Sequence, residues 1–200
     1  MKAFEPTIEN LLGTTGFVKS GASLPLVYDK NGNPMSVKLV TGYQAAFLAN
    51  SENGNLARQN DTAVVGIRTI DNKKLGTGIN HLVYAVRLLA DATTVAATPA
   101  TEADRNAALL AALWNKIAKA PVYNSEIKFI QGDELFKISG RVLHNTKTAT
   151  CQEDDFINLP AFILRSNKPF DINIVSAGAV AATDMVMVEY LAIEYGDATL

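Results

Sequence analysis

One cysteine, two histidines and one tryptophan are all that these 200 residues hold of those three types. Cys151 stands alone, so no disulfide can form within the chain and no multi-cysteine zinc site can be built. Its neighbours Gln152, Glu153 and Asp154 make an acidic setting that disfavours a reactive thiolate, and the residue reads as a bystander. His81 and His144 lie far apart, and neither has a second histidine at ligand spacing. The close histidine pair of a cupin-type metal site is missing, as is H-E-x-x-H. His81 falls on the polar face of a strand and His144 in a turn, so both are expected to be solvated structural residues.

Nucleophile and phosphate motifs are missing as well. There is no G-x-S-x-G elbow and no G-K-[ST]. Gly76-Thr77-Gly78 is a G-x-G fragment without the third glycine and helix start that a phosphate cradle needs. Aromatic residues make up 8% and are not gathered into a sugar-stacking platform. Glycoside hydrolysis needs two carboxylates that meet in space, and nothing in the sequence marks such a pair. No catalytic, cofactor-binding or metal-binding residue is assigned, no cofactor is expected, and the expectation is a protein that is not an enzyme.

Charge is scarce. Charged residues are 19% of the chain, against about 25% in typical soluble domains. Lys and Arg number 18, Asp and Glu 20, and no stretch concentrates the basic ones. Direct nucleic-acid binding, which needs a basic face to displace phosphate counterions, is not expected. No run approaches the ~18 apolar residues of a membrane span. The opening MKAFEPTIEN lacks the apolar stretch of a secretory signal, so a product of the cytoplasm is expected. With 48% hydrophobic residues and a mean hydropathy of +0.09, part of the surface is expected to be apolar or neutral-polar. A subunit with large interfaces needs such a surface; a large core with Asn, Thr and Ser in the loops would give the same totals.

What is there reads as strands. Residues 1–23 form an arm in which Phe4, Ile8, Leu11 and Leu12 lie at helix-compatible spacing until Gly13, Gly16 and Gly21 break it. Residues 24–200 are expected to be a single domain. Leu24–Tyr28 and Met35–Val40 flank Asn31-Gly32, a dipeptide that tolerates the positive φ of a hairpin turn. Tyr43–Ala49 is open between strand and helix, residues 50–61 are a loop, and the β-branched Val64–Ile70 reads as a strand. In Ile79–Ala90, Leu82, Tyr84, Val86 and Leu88 share one face, and His81 and Arg87 the other. Phe136, Ile138 and Val142 alternate with Lys137, Ser139 and Arg141. Phe156–Leu164, Phe170–Val175 and Met185–Tyr195 bring the total to about nine strands.

One helix interrupts them. Thr101, three residues before Asp104, has the form of a capping box. Leu110, Leu113, Trp114 and Ile117 then fall at i, i+3, i+4 and i+7, and Pro121 stops the run. Strands at this spacing, without a βαβ rhythm or a repeat, predict an all-β fold: an antiparallel β-sandwich, with a jelly roll as first choice, carrying one inserted α-helix over about 102–119. Glu153-Asp154-Asp155 is the one acidic cluster. Three carboxylates suit calcium, but adjacent residues of an extended chain point alternately, so a solvated turn is the stronger reading.

The last third of the chain follows a recognisable pattern. Phe156-Ile-Asn-Leu-Pro-Ala-Phe-Ile-Leu-Arg-Ser-Asn-Lys-Pro-Phe170-Asp-Ile-Asn-Ile174 precedes a turn of small residues, Ser176–Thr183, and the strand Met185-Val-Met-Val-Glu-Tyr-Leu-Ala-Ile-Glu-Tyr195. This resembles the closing strands of bacteriophage virion proteins, small jelly-roll capsid subunits among them. Glu126–Leu135 is similar to strands just upstream in such proteins. The resemblance spans residues 126–196 and is one of strand and turn types. It implies a virion location, assembly with copies of itself and other virion proteins, and no cofactor, and it carries over no active-site residue.

The final strand suits a subunit that packs on others. Met185, Met187, Leu191 and Ile193 lie on one face and Val186, Val188, Tyr190 and Ala192 on the other. A strand that is apolar on both faces must be covered twice, by its own core and by either the helix or a neighbouring subunit. Phe4, Ile8, Leu11, Leu12, Met185, Met187 and Tyr190 are therefore the candidate interface residues. The alternative function is a carbohydrate-binding or adhesive β-sandwich module.

Overall fold

The computed structural model describes residues 27–28, 34–48, 54–91, 99–114, 118–143, 156–181 and 183–197. Within them the fold is all-β and antiparallel. The strands are β1 (Val27–Tyr28), β2 (Pro34–Phe47), β3 (Ile79–Asp91), β4 (Glu126–Gln131), β5 (Asp133–Ser139), β6 (Ile157–Leu164), β7 (Asp171–Val175) and β8 (Met185–Asp197). They form a five-stranded sheet in the order β1-β2-β8-β3-β6 and a three-stranded sheet in the order β5-β4-β7. Eight strands is the number a jelly roll uses, but here they divide five and three.

Central position explains the doubly apolar β8. It pairs along its length with β2 on one side and β3 on the other. Val186, Val188, Tyr190 and Ala192 point into the main core, where Ile127, Phe129, Ile172 and Ile174 of the small sheet meet them. Met185 and Met187 point the other way, into a second cluster with Ala45, Phe47, Ile67 and Leu109. Ile193 and Tyr195 join Leu82 in a third cluster on that same outer face.

Tyr43–Ala49 resolves as strand: β2 runs unbroken through Gly42 to Phe47. Val64–Ile70, expected to be a strand, is instead a tight turn held by Ile67 N–H to Val64 O and Val64 N–H to Arg68 O, both at 2.9 Å. β-branched composition fits a half-buried surface of any kind, and here Ile67 and Ile70 are buried while Val65 is exposed. Segment 54–78 bridges the two sheets. At one end Leu56 N–H reaches Ile172 O at 2.9 Å beside β7; further on, Ala45 N–H reaches Ile67 O at 2.8 Å beside β2.

The helix is shorter than expected. α1 spans Glu102–Ala111, and Thr101 caps it by accepting from Asp104 N–H, as its sequence indicates. It ends eight positions before residue 119 because a continuing helix would need Leu113 N–H to bond Leu109 O, and the side chain of Asp91, at the end of β3, takes that N–H at 2.6 Å. Trp114 follows at φ 53. Pro121 does not stop α1 but lies in the first turn of a short helix, α2 (Ala120–Tyr123), where a missing N–H costs nothing. A further turn, α3 (Gly140–Leu143), follows β5, so Val142 is exposed there and does not extend the strand.

Candidate functional site

A row of polar side chains, Lys38, Glu194, His81 and Tyr190, crosses three strands of the large sheet, and a bulge turns His81 into it. Against β8, the two-residue step from Val83 to Ala85 is met by the single step from Ala192 to Leu191, so Tyr84 is the extra residue. Before the bulge, odd-numbered residues face the core; after it, even-numbered ones do. Val83, Val86, Leu88 and Ala90 accordingly share the main core, while Leu82 and Tyr84 lie on the outer face. The single face expected for Leu82, Tyr84, Val86 and Leu88 is thus split. His81, expected to be solvated, turns inward and is buried.

Glu194 of β8 and Lys38 of β2 stand opposite each other in the ladder, and His81 stands opposite Glu194 on the other side. Lys38 Nζ lies 2.9 Å from Glu194 Oε1, and His81 Nε2 lies 3.3 Å from Glu194 Oε2. His81 Nδ1 is 3.1 Å from the Tyr190 hydroxyl. Burial pushes the His81 pKa below its ordinary value, outweighing the hydrogen bond and charge of Glu194, which act upward. A neutral imidazole fits the geometry: Nε2–H donates to Glu194, and Nδ1 accepts the Tyr190 O–H. Burial, with Glu194 adding to it, pushes the Tyr190 pKa well up, so the phenol keeps its proton.

His81 and Glu194 of this row line a cleft of about 490 Å³ under the loop that leads into β3. Thr69, Asn72, Lys74, Thr77 and Asn167 stand across from His81 and Glu194. The lining can donate and accept hydrogen bonds. Among the described residues no three His, Cys, Asp or Glu side chains come together as a metal site would require.

A second feature lies on the outer face. Val65 is 89% exposed, Leu110 56% and Leu113 69%. Leu110 reaches over Gly66, its Cδ2 standing 3.1 Å from where a Cβ on that glycine would be. The helix therefore presents apolar side chains to the outside next to the apolar turn at residue 65. Sequence spacing sets Leu110 and Leu113 on one helix face with Trp114 and Ile117.

Of the candidate interface residues, Met185, Met187 and Tyr190 are covered within the chain itself: the first two under α1, the third between the sheets. Their place is the interior. Phe4, Ile8, Leu11 and Leu12 lie outside the described residues, as do Ile117, His144, Cys151 and Glu153–Asp155. No family model, curated protein or solved structure matches the chain. Among the described residues, no helix is long and apolar enough to cross a membrane.

Proposed function

We propose that this chain is a structural subunit of a virus particle, of the bacteriophage capsid kind, that works by associating with copies of itself and with other virion proteins. The observation that carries the reading is the exposed apolar surface of Val65, Leu110 and Leu113. A chain poor in charge that leaves such side chains outside, while burying its central strand on both faces, has contact surface to spare. The virion assignment and the jelly-roll topology rest on the strand and turn pattern of residues 126–196.

Purified protein is expected to run as an oligomer or to form regular particles by electron microscopy. Leu110→Ser with Leu113→Ser is expected to weaken that association while leaving the folded state intact by circular dichroism. A monodisperse monomer at high concentration overturns the reading.

The cleft beside His81 favours a second function, a carbohydrate-binding or adhesive module, because neutral hydrogen-bonding groups such as Thr69, Asn72, Thr77 and Asn167 suit sugar hydroxyls. A glycan array separates the two. Saturable binding to one sugar class, lost on Asn72→Ala, supports the module.

A further inference from the structure

Sheet edges are where a β protein offers backbone hydrogen bonds to other chains, and here the edges are unequal. β7 is covered by residues 54–56, through Leu56 N–H to Ile172 O and Ile174 N–H to Gly54 O. β5 carries Asp133, Glu134 and Lys137. β6 carries Pro160, which has no N–H to offer. Among the described residues, the edge of β2 has none of these protections over its middle. β1 covers only Pro34 and Met35, and the next outer contacts are Tyr43 with Thr69 and Ala45 with Ile67.

Alternation says which groups are left. Tyr43 and Ala45 turn their backbone groups outward, to Thr69 and Ile67. In an antiparallel ladder residues alternate between the two sides, so Val37, Leu39 and Thr41 also turn N–H and C=O outward, while Lys38 and Val40 serve the ladder with β8. The β1–β2 register pairs Val27 with Met35, so a strand carried on upstream would set Pro25, which lacks an N–H, against Val37.

We propose that residues 36–42 of β2 pair antiparallel with the same residues of a second copy, about a two-fold axis at Leu39. The window is symmetric about that residue: it is closed by β1 at Met35 on one side and by Thr69 at Tyr43 on the other. Leu39 meets its own mate, Val37 meets Thr41, and Lys38 meets Val40. Each of the three outward pairs exchanges two hydrogen bonds, about six in all. No charge faces a like charge directly, because each Lys38 is opposite a valine and is held by its own Glu194. Leu39, 41% exposed, loses its exposure against its mate. An isologous contact of this kind closes at a dimer, so a particle needs a second contact, which the Val65–Leu110–Leu113 surface provides. The inference rests on the self-association reading and names its geometry.

Amide exchange by NMR on the wild-type chain at low and high concentration is the first test. Association is expected to slow exchange at Val37, Leu39 and Thr41, and to leave Lys38 and Val40, already bonded to β8, unchanged. Sedimentation is the second. Leu39→Lys sets two ammonium groups face to face on the axis and is expected to weaken the dimer about tenfold or more. Leu39→Pro, which removes an outward N–H and no bond of the ladder to β8, is expected to do the same, and Val142→Lys, exposed away from the edge, to do nothing. Wild type that associates with the three amides unprotected, or Leu39→Lys that associates as tightly as wild type, overturns the β2 pairing and leaves the assembly reading standing. Wild type that stays monomeric overturns both.

Discussion

Gly42 stands directly opposite Tyr190 in the β2–β8 ladder, and the phenol occupies the space that a side chain on Gly42 would fill. A Cβ built there would lie 2.0 Å from Tyr190 Cζ and 2.3 Å from its hydroxyl. The ring end of an exposed tyrosine could swing aside; this one is wholly buried, with Phe129 edge-on at 6.2 Å and His81 on its hydroxyl. Gly42→Ala is expected to cost about 2 kcal/mol in urea unfolding, within the usual range for overpacking. Tyr190→Phe should not relieve it, because the ring carbon itself is in the way. Combining Gly42→Ala with Tyr190→Leu should recover about 1 kcal/mol relative to additivity.

The buried imidazole makes stability fall on the acid side. His81 has a folded-state pKa below 6.5, driven mainly by burial, so as pH drops through that value the unfolded chain binds the proton first. The stabilisation is complete above about pH 6.5 and is lost progressively below it, with a slope of at most about 1.4 kcal/mol per pH unit for one proton. Glu194 and Lys38 face the ring from β8 and β2, Tyr190 holds its other nitrogen, and Lys74 and Asp71 line the cleft beyond. His81→Gln is expected to flatten this limb between pH 5 and 6.5 in urea midpoints. An unchanged slope would show that another group is responsible.

His81 also marks the limit of reading strands by alternation. The strand was legible over Ile79–Ala90, and so were Phe170–Val175 and Met185–Tyr195, because their apolar residues recur at the spacing the pleat demands. A bulge changes parity without changing composition: one extra residue at Tyr84 moved His81 inward and parted Leu82 from Val86. Only the partner strand β8 defines that residue as extra, so no local signal predicts it. The same reason hid the polar row, whose members, Lys38, His81, Tyr190 and Glu194, come from three strands. Val64–Ile70 failed differently, since Val64 and Ile67 answer to burial in the cluster of Phe47 and Leu109, not to a ladder.

Arg68 ties the bridging segment to the helix. It is buried, with Nε on Thr62 O at 2.6 Å, a terminal nitrogen on Glu102 at 2.9 Å and the other 3.9 Å from Asp61. Asp61 is buried too. Arg68→Met leaves that carboxylate without its cation and is expected to cost about 3 kcal/mol, as breaking a buried pair does. Glu102 is largely exposed, so Glu102→Gln should cost less than about 1 kcal/mol. Thermal or urea unfolding of the two variants checks the contrast; equal costs would mean that the surface partner, and not Asp61, sets the energy.

Two adjacent leucines decide which face of α1 belongs to the core. Spacing from Leu110 to Ile117 places Leu110 inward, yet that pattern assumes a helix long enough to repeat it, and Asp91 ends the helix by taking Leu113 N–H. Within the ten residues that remain, Leu109 and not Leu110 lies over Met185 and Met187, 3% exposed against 56%. Leu109→Ala removes a filled core position and is expected to cost about 2–3 kcal/mol. Leu110→Ala should change stability by no more than about 0.5 kcal/mol. Because Leu110 belongs to the exposed apolar surface, it should instead weaken self-association, seen as a slower rise of weight-average mass with concentration in sedimentation. Stability lost at Leu110 and spared at Leu109 would reverse the helix face and remove the surface on which assembly is argued.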